Sequence, residues 1–513
     1  MPHDNLPPFA NEPYTDFSLP ENRAAMERAL AGVRAELGRE YGTGAGWKLE
    51  SRNPSRPDEI VGIHRKATPE EARRAVEDAH AFFPEWSRTP AARRVELVLA
   101  ASAILRKRKL EFDAWLVYEA GKTWPEAEAD VSEAIDFCEY YAREMLRLSH
   151  PPGLHQLPGE QDRLVYLPLG AGVVIPPWNF PLAILAGMTV AALVTGNTVV
   201  VKPSSDTPTI AAKFAEVLGQ AGFPERSFRL LVGSGAEVGD VLVTHPKTRF
   251  VSFTGSKEVG LRINELAAKP QPGQIWIKRV VAEMGGKDAI IVDRDTDVDK
   301  AVEGVLVSAF GYQGQKCSAC SRAIVDEAVY DEFVQKLAKK AEAIRVGDAC
   351  DPGNYMGPVI NDRARQSILR YIETGKREGR LVAGGAPAEG AGYFIRPTVI
   401  ADVPKGATIF REEIFGPVLA VAKAKDFDDA LAIANSSEYG LTGSVYTNDR
   451  EKIRKASEQF FVGNLYFNRK CTGAMVGAHP FGGFNMSGTD SKAGGPDYLM
   501  LFLQAKSIAE KVG

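Results

Sequence analysis

Short apolar strand segments alternate with helical segments from Gly170 to Phe253, and this alternation limits the folds open to the chain. The strand segments are almost continuously apolar, which is typical of strands buried on both faces of a parallel sheet. The pattern predicts strands at 172–175, 198–202, 228–232 and 250–253, separated by helices at 182–195, 209–221 and 236–244. We therefore expect a doubly wound parallel sheet in this part of the chain.

A second alternating series begins near Ala289. It predicts strands at 289–292, 322–325, 397–400 and 418–423, and helices at 298–312, 330–344 and 427–434. A chain of 513 residues exceeds what one core supports. The sequence therefore predicts an α/β protein with two doubly wound parallel-sheet domains.

The flanking segments have other patterns. Residues 20–45 and 68–147 predict helices, the latter starting with Thr68-Pro69 as N-cap and first helical residue. The basic run 106–109 lies inside an amphipathic helix, which favours a solvated helix face over a nucleic-acid patch. Residues 163–168 predict an edge strand or arm because they end in proline. The apolar segment 498–503 predicts a strand, which would be costly to expose unless a partner subunit covers it.

Composition narrows the classes of function. Hydrophobic residues make up 44% and charged residues 25% of the chain, as in soluble globular proteins. The net charge of −4 offers no basic footprint for nucleic acid. Five widely spaced cysteines favour a reducing compartment over a disulfide framework. The apolar stretch 182–201 is broken by polar residues and glycines, and the first residues lack an apolar signal region. We therefore expect a cytoplasmic protein with no membrane partner. We also expect no metal site.

Cys317 is the strongest candidate for chemistry. It ends the run Gly314-Gln315-Lys316-Cys317, where glycine allows close backbone approach, whereas a cysteine kept for packing usually lies among aliphatic residues. Glu283 ends a β-branched run just before two glycines. A thiol together with a carboxylate that can activate water suits covalent acyl chemistry. From local pattern alone, an ordinary buried cysteine remains the alternative.

Further candidates follow the predicted strands, where open α/β sheets bind ligands. The loops that start at Gly233 and Thr254 both offer donors to a phosphate, although a plain strand-to-helix turn explains each equally well. Lys202 could hold ribose hydroxyls or extend to solvent. The Asn179 amide could stabilise an oxyanion or only satisfy loop backbone.

Together these segments resemble the aldehyde dehydrogenase superfamily, in the family's order. The matching segments are Pro177-Trp178-Asn179-Phe180-Pro181, Lys202-Pro203, Phe253-Thr254-Gly255-Ser256, Glu283-Met284-Gly285-Gly286, Gly314-Gln315-Lys316-Cys317, Glu413-Ile414-Phe415-Gly416-Pro417 and Pro480-Phe481-Gly482-Gly483. The resemblance implies that Cys317 attacks an aldehyde, that Asn179 and the Cys317 N–H hold the oxyanion, and that Glu283 activates water to release the acid.

The same resemblance implies a nicotinamide cofactor. Lys202 and Glu413 would hold its riboses, Ser256 with Thr254 and Gly255 its pyrophosphate, and Phe415 would pack near the nicotinamide beside the loop of Pro177 and Trp178. Many NAD-specific members have a glutamate where this chain has Ser205, and its absence removes a repulsion against a 2′-phosphate. We therefore expect NAD and leave NADP open.

Other segments resemble the 1-pyrroline-5-carboxylate dehydrogenase branch of the superfamily. They are Glu133-Ala134-Ile135-Asp136-Phe137, Gly273-Gln274-Ile275-Trp276-Ile277-Lys278-Arg279 and Gly463-Asn464-Leu465-Tyr466-Phe467-Asn468-Arg469. This implies that Ser318, Gly473 and Ala474 bind the substrate's α-carboxylate, that Phe180 and Phe481 clamp its aliphatic part, and that Glu133 belongs to the substrate site. An ordinary small-residue loop remains the alternative for Gly473 and Ala474.

The expected activity is oxidation of L-glutamate γ-semialdehyde to L-glutamate, the second step of proline degradation; hydrolytic oxidation of another small aldehyde is the alternative. We expect a homo-oligomer, a dimer or a dimer-based hexamer.

Adjacent side chains in an extended loop point apart, so Lys316 is expected to make a structural contact, with Glu133 as its candidate partner. The expected domains are a dinucleotide-binding domain at 1–150 and 170–285, a catalytic domain at 286–482, and an oligomerisation arm with a C-terminal extension at 151–169 and 483–513.

Overall fold

The computed structural model describes residues 6–42 and 46–512. The first elements form a small sheet in the order β1-β3-β2 beside one helix. They are α1(Pro20–Arg34), β1(Arg39–Tyr41), β2(Lys48–Asn53) and β3(Arg56–Arg65). The helix predicted over residues 20–45 is therefore too long: α1 ends at Arg34, a turn follows in which Gly38 has a φ of +79°, and Arg39–Tyr41 pairs with β3 instead. The last part of that prediction, 43–45, lies outside the described residues.

Four helices follow and confirm the helical pattern predicted over 68–147. They are α2(Pro69–Trp86), α3(Ala91–Lys107), α4(Lys109–Ala120) and α5(Trp124–Ser149). Thr68 forms a capping box with Glu71 and Pro69 is the first helical residue, as predicted. None of the helices in residues 6–42 and 46–512 combines the length and the apolar character that crossing a bilayer requires.

The first predicted parallel sheet is confirmed. After β4(Glu160–Pro168), its elements are β5(Ala171–Ile175), α6(Ala183–Val194), β6(Thr198–Val201), α7(Pro208–Gln220), β7(Phe228–Leu230), α8(Asp240–Thr244), β8(Phe250–Thr254), α9(Lys257–Ala268) and β9(Arg279–Glu283). All five strands are parallel, in the order β7-β6-β5-β8-β9. The chain moves outward from β5 to β7 and then returns to β8 on the other side of β5. A switch point therefore lies between β5 and β8.

The second sheet has seven strands in the order β12-β13-β14-β11-β10-β16-β17, and only β12 pairs in antiparallel fashion. Its strands are β10(Asp288–Val292), β11(Cys320–Asp326), β12(Arg380–Ala383), β13(Thr398–Ala401), β14(Val418–Ala424), β16(Thr442–Tyr446) and β17(Asn464–Phe467). Its helices are α10(Val298–Phe310), α11(Tyr330–Glu342), α12(Asp362–Glu378), α13(Thr408–Arg411), α14(Phe427–Ala434) and α15(Arg450–Gln459). A two-stranded sheet, β15(Tyr439–Gly440) with β18(Phe484–Asn485), lies nearby in the chain. The prediction of two parallel-sheet domains is confirmed.

The last strand, β19(Leu503–Lys511), pairs with β4 in an antiparallel ribbon of two strands. The strand predicted for residues 498–503 is wrong, because Tyr498–Phe502 is a 3₁₀-helix. Its rings stack on Tyr141 and meet Phe250 edge to face, at centroid distances of 5.3 and 5.4 Å. The apolar segment is therefore covered within the chain, and tertiary packing overrides its β propensity.

Asn197 fastens the ribbon to the body of the protein. Its buried side chain accepts hydrogen bonds from the backbone N–H groups of Leu169 and Gly170, just after β4. It also donates to the Phe502 carbonyl, just before β19. One amide therefore fixes the bases of both strands.

Close packing at the centre of the first sheet gives a stability prediction. A Cβ at Gly172 would lie 2.0 Å from Cζ of Phe250, a fully buried ring held by Phe502. We expect Gly172→Ala to lower the thermal unfolding midpoint, with a cost of about 1–3 kcal/mol from overpacking. Gly32→Ala is the matched control, because this exposed position in α1 has open space around it and alanine favours the helix. An unchanged midpoint for Gly172→Ala would contradict the packing argument.

Candidate active site

The predicted cofactor residues lie where the strands of the first sheet end. Pro177 and Trp178 follow β5, and Lys202 and Ser205 follow β6. Thr254 is the last residue of β8, and Gly255 and Ser256 follow it. Glu283 is the last residue of β9. Because these strands are parallel, their carboxyl ends share one edge of the sheet. The sequence motifs are thus brought to the edge at which ligands bind in such sheets.

Lys202 is a buried cation whose charge is only slightly compensated by neighbouring groups. It is 6% exposed, and its ammonium donates a hydrogen bond to the Pro203 carbonyl at 3.1 Å. Burial lowers its pKa to about 8. Two of its protons remain available to ligand oxygens such as ribose hydroxyls. Ser205 follows in a half-buried turn, and Ser256 is the N-cap of α9, where its hydroxyl accepts from Val259 at 3.4 Å.

Glu413 and Phe415 come from the second sheet's domain. Glu413 accepts a hydrogen bond from the Gly286 N–H at 3.0 Å, and burial raises its pKa to about 7. A Cβ at Gly285 would lie only 2.1 Å from the Glu413 carboxylate, which explains the glycine there. Phe415 has a φ of +56° and meets Trp178 edge to face at 5.4 Å. Residues from both domains therefore meet at this edge.

The segment before Cys317 is a strained turn. Tyr312 and Gln313 have φ values of +48° and +56°, which cost about 1–3 kcal/mol each for non-glycine residues. Buried hydrogen bonds hold them: the Tyr312 hydroxyl donates to the Ala120 carbonyl at 3.0 Å and the Gln313 amide to the Pro358 carbonyl at 2.8 Å. The position of Cys317 is thus fixed by contacts far along the chain.

A cavity of about 290 Å³ contains Cys317 and most of the predicted substrate residues. The predicted residues in its wall are Cys317, Ser318, Glu283, Thr254, Phe180, Phe481, Gly473, Ala474 and Glu133. Asn179 is not among the residues that line this cavity: it is buried, and its amide donates to the Gln315 carbonyl at 3.0 Å, two residues before Cys317. One proton of that amide remains for another acceptor.

Several wall residues were not predicted from the sequence. They include Tyr14, Glu126, Ile184, Met188, Lys470 and His479. One face of α5 contributes Glu126, Ala129 and Glu133, whose helical spacing would have identified a shared face. No pattern in the sequence points to Tyr14, which is distant from every other wall residue along the chain.

The Cys317 thiol favours its neutral form in this structure. Burial raises its pKa, and the carboxyl groups of Asp288, Glu283 and Glu413 raise it further. The Ser318 N–H has the opposite, smaller effect. A bound cation or further donors are needed to favour the thiolate.

Glu283 is held by donors from residues 483–491. Its carboxylate accepts from the Ser491 hydroxyl at 2.5 Å and from the backbone N–H groups of Ser491 and Gly483 at 3.3 Å. Burial raises its pKa to about 7, and these hydrogen bonds limit the increase. Such a carboxyl group exchanges its proton near neutral pH, as a general base must.

The partner of Lys316 differs from the prediction. Its ammonium contacts the Glu126 carboxylate at 2.7 Å rather than Glu133. Burial raises the pKa of Glu126, but Lys316 and Lys122 outweigh this effect and lower it overall. Within residues 6–42 and 46–512, Glu133 forms no ion pair with a cationic side chain; burial and the neighbouring Asp130 and Asp136 raise its pKa to about 8. Glu126 is closer to Lys316 because it lies two helical turns before Glu133 on the same face of α5.

Comparisons with known proteins agree with this geometry. Residues 42–508 match the aldehyde dehydrogenase family. The chain is 56% identical over 510 residues to the 1-pyrroline-5-carboxylate dehydrogenase of Geobacillus thermodenitrificans (strain NG80-2), a match that covers 98% of this chain and 99% of that protein. It is similar to the solved structure of a Thermus 1-pyrroline-5-carboxylate dehydrogenase with bound NAD, at 51% identity and a TM-score of 0.97, with 99% of each chain covered.

A longer protein contains a similar unit. Proline utilization A from Bdellovibrio bacteriovorus is 45% identical with a TM-score of 0.97, over 98% of this chain and 53% of that chain. The family that the sequence motifs predicted is confirmed by these similarities, which extend over nearly the whole chain. This chain belongs to the aldehyde dehydrogenase family.

Proposed function

We propose that this protein oxidises L-glutamate γ-semialdehyde, the open form of 1-pyrroline-5-carboxylate, to L-glutamate with NAD, the second step of proline degradation. The observation that carries the proposal is the cavity of about 290 Å³, which joins a thiol, a carboxylate of raised pKa and a loop of small residues. The names of the most similar relatives support the same substrate.

The cavity wall suits a short amino-acid aldehyde. The Ser318 hydroxyl and the N–H groups of Gly473 and Ala474 are donors for an α-carboxylate, and Gly473 has a φ of +74° that glycine tolerates best. The rings of Phe180 and Phe481 can cover an aliphatic chain. Donors without a fixed charge bind a carboxylate and discriminate better than a cation among other anions.

The residues act in two stages. Cys317 loses its proton to solvent water, and its thiolate attacks the aldehyde carbon. A C–S bond forms while the C=O π electrons move to oxygen, and the resulting oxyanion accepts hydrogen bonds from the Asn179 amide and the Cys317 N–H. The hydride that this carbon must lose to become a thioester requires an acceptor, which the nicotinamide cofactor would supply. Glu283 then takes a proton from water, the oxygen attacks the resulting thioester, and the C–S bond breaks to release the acid and the Cys317 thiolate.

The residues at the sheet edge fit a dinucleotide. Lys202 has free ammonium protons and Glu413 is a buried acceptor, which are the groups that ribose hydroxyls require. Ser256 begins α9, where a helix N-terminus attracts a pyrophosphate. Ser205 adds no negative charge near Lys202. We assign NAD as the cofactor and keep NADP as the alternative to be tested.

Initial rates with two aldehydes and two cofactors test this assignment. We expect kcat/KM for L-glutamate γ-semialdehyde to exceed that for butanal by at least about 100-fold, because butanal leaves the carboxylate donors unpaired. NAD is expected to support a higher rate than NADP. Cys317→Ala should give no NADH with either aldehyde. Equal kcat/KM for the two aldehydes would refute the substrate and favour a hydrolytic enzyme for another small aldehyde.

The raised pKa of Glu283 predicts a pH dependence. The base must be deprotonated, so the deacylation rate is expected to fall as the pH decreases through about 7. Glu283→Gln should release about one NADH per active site in a burst and then turn over about 10²–10⁴-fold more slowly. Ser491→Ala removes a hydrogen bond that stabilises the carboxylate, so its pH midpoint should move upward. A full steady-state rate in Glu283→Gln would contradict the role.

The domain roles and the oligomer are further parts of the proposal. Residues 1–150 with 170–285 would bind the dinucleotide, 286–482 would carry the nucleophile, and 151–169 with 483–513 would form an oligomerisation arm. The arm is supported by the ribbon of β4 and β19: β19 is mostly exposed, and every residue of β4 is exposed or half-buried. An isolated two-stranded ribbon is marginal in water and has free edges, which a second copy can cover. The five cysteines, all free, support a reducing cytoplasmic compartment.

Sedimentation equilibrium tests the arm. The wild-type chain is expected to sediment as a dimer or a dimer-based hexamer of 55.7 kDa subunits. Truncation after Phe502 removes β19 while retaining the Asn197 contact, and it should shift the equilibrium toward the monomer. Truncation after Glu510 is the matched control, since it leaves nearly the whole ladder. A wild-type monomer would refute the oligomer.

A further inference from the structure

The segment before α1 reaches the cavity that contains Cys317, where Tyr14 is part of the wall. We call residues 7–17 the N-terminal strap. Its aromatic residues anchor it at both ends: Phe9 meets Tyr140 edge to face at 5.1 Å, and Phe17 meets Trp124 at 5.5 Å. Both partners belong to α5, the helix that contributes Glu126 and Glu133 to the cavity wall. The strap therefore runs along α5 on the cavity side of the molecule.

Polar contacts fix the strap between these anchors. The backbone N–H of Glu12 donates to Asp136 at 2.6 Å, and that of Thr15 donates to Glu128 at 2.8 Å. The Glu12 side chain is paired with Arg106 at 2.8 Å. Backbone donors and buried carboxylates make strong hydrogen bonds.

Asn11 links the strap to a second element. Its side-chain amide donates to Asp136 at 2.8 Å and to the carbonyl of Val476 at 3.1 Å. Val476 follows Gly473 and Ala474, the residues assigned to the substrate's carboxylate, in the loop 472–479. The loop packs closely there, because a Cβ at Gly477 would lie 2.9 Å from the Phe9 ring. One amide thus connects α5 to the carboxylate loop.

Tyr14 lies at the rim of the same cavity. It is 57% exposed and yet belongs to the cavity wall, and its hydroxyl contacts the Met475 sulfur at 3.7 Å. Tyr14 therefore lies between solvent and the cavity, beside Met475 of the loop 472–479. The wall near this opening also contains Glu133 and Asp136.

We propose that the N-terminal strap sets substrate specificity: Asn11 is a positioning residue that holds the carboxylate loop at its distance from Cys317, and Tyr14 limits the size of aldehydes that enter. The inference rests on the proposed function, because it concerns the loop that would bind the α-carboxylate. The loss of one tether displaces Gly473 and Ala474 and leaves the reacting carbon, the thiol and Glu283 in place.

Kinetics with two aldehydes test the role of Asn11. For Asn11→Ala, KM for L-glutamate γ-semialdehyde is expected to rise about tenfold while kcat changes less than about twofold, since the displaced loop binds the ground state and transition state alike. KM for butanal should not change. Thr15→Ala is the matched control, because its backbone hydrogen bond to Glu128 remains. If Asn11→Ala is insoluble, Asn11→Ser carries the same expectation.

The outcomes separate this inference from the proposed function. Two results would overturn the role of Asn11 alone, provided that the wild-type enzyme prefers the semialdehyde. One is an equal loss of activity with both aldehydes in Asn11→Ala, and the other is an unchanged KM for the semialdehyde in that variant. A wild-type enzyme without that preference would refute the proposed function. Hydrogen exchange gives a readout independent of activity: peptides covering 472–479 should exchange faster in Asn11→Ala than in Thr15→Ala, and equal exchange would contradict the tether.

A size series tests Tyr14. Tyr14→Ala is expected to raise kcat/KM for phenylacetaldehyde relative to butanal by about tenfold, because the opening widens. Tyr14→Phe keeps the ring and loses only the contact with Met475, so its ratio should match the wild type. An unchanged ratio in Tyr14→Ala would show that the ring does not limit entry and would overturn this part of the inference.

Discussion

A buried ion pair, Lys122 with Asp130, connects the three parts of the site. The two groups are 3.4 Å apart and both side chains are fully buried. The Lys122 ammonium also lies 4.0 Å from the centroids of the Phe180 and Tyr312 rings. Asp130 accepts from the Ala183 N–H at 2.7 Å, at the start of α6. The wall of the cavity, the strained turn before Cys317 and a helix of the first parallel sheet are thus held by one ion pair, and removal of either partner would leave the other uncompensated.

Desolvation shifts the pKa values of other ionisable groups in the site so that their neutral forms are favoured. Burial raises the pKa of the Cys317 thiol and of the Glu283 and Glu413 carboxyl groups, and lowers the pKa of Lys202. Each shift favours a neutral form and weakens charge inside the cavity. Burial therefore disfavours the thiolate of Cys317, and further positive charge or hydrogen-bond donors would favour it.

The sequence alone predicted what depends on local pattern. Buried apolar strands identified both parallel sheets. The glycines beside Cys317 and Glu283 made these two residues candidates, and only the resemblance to a known family favoured the covalent role over an ordinary buried cysteine. Predictions from local pattern were wrong where contacts with distant residues determine the structure. The aromatic segment 498–502 forms a 3₁₀-helix because it packs on Tyr141 and Phe250. Lys316 pairs with Glu126 instead of Glu133, and Tyr14 is part of the cavity wall. Both arrangements depend on contacts between segments far apart in the chain.

The glycines after Phe481 have a physical role that their motif does not reveal. Cβ atoms at Gly482 and Gly488 would each lie 3.1 Å from the Glu283 carboxylate, closer than most real contacts of that kind. Together with the donors of Gly483 and Ser491, these positions form a receptacle for the carboxylate. Its hydrogen bonds lower the pKa of Glu283 and burial raises it, with burial dominant. The receptacle therefore limits the rise in the pKa of Glu283 to about 7, a value that suits the proposed role of this carboxyl group as a base.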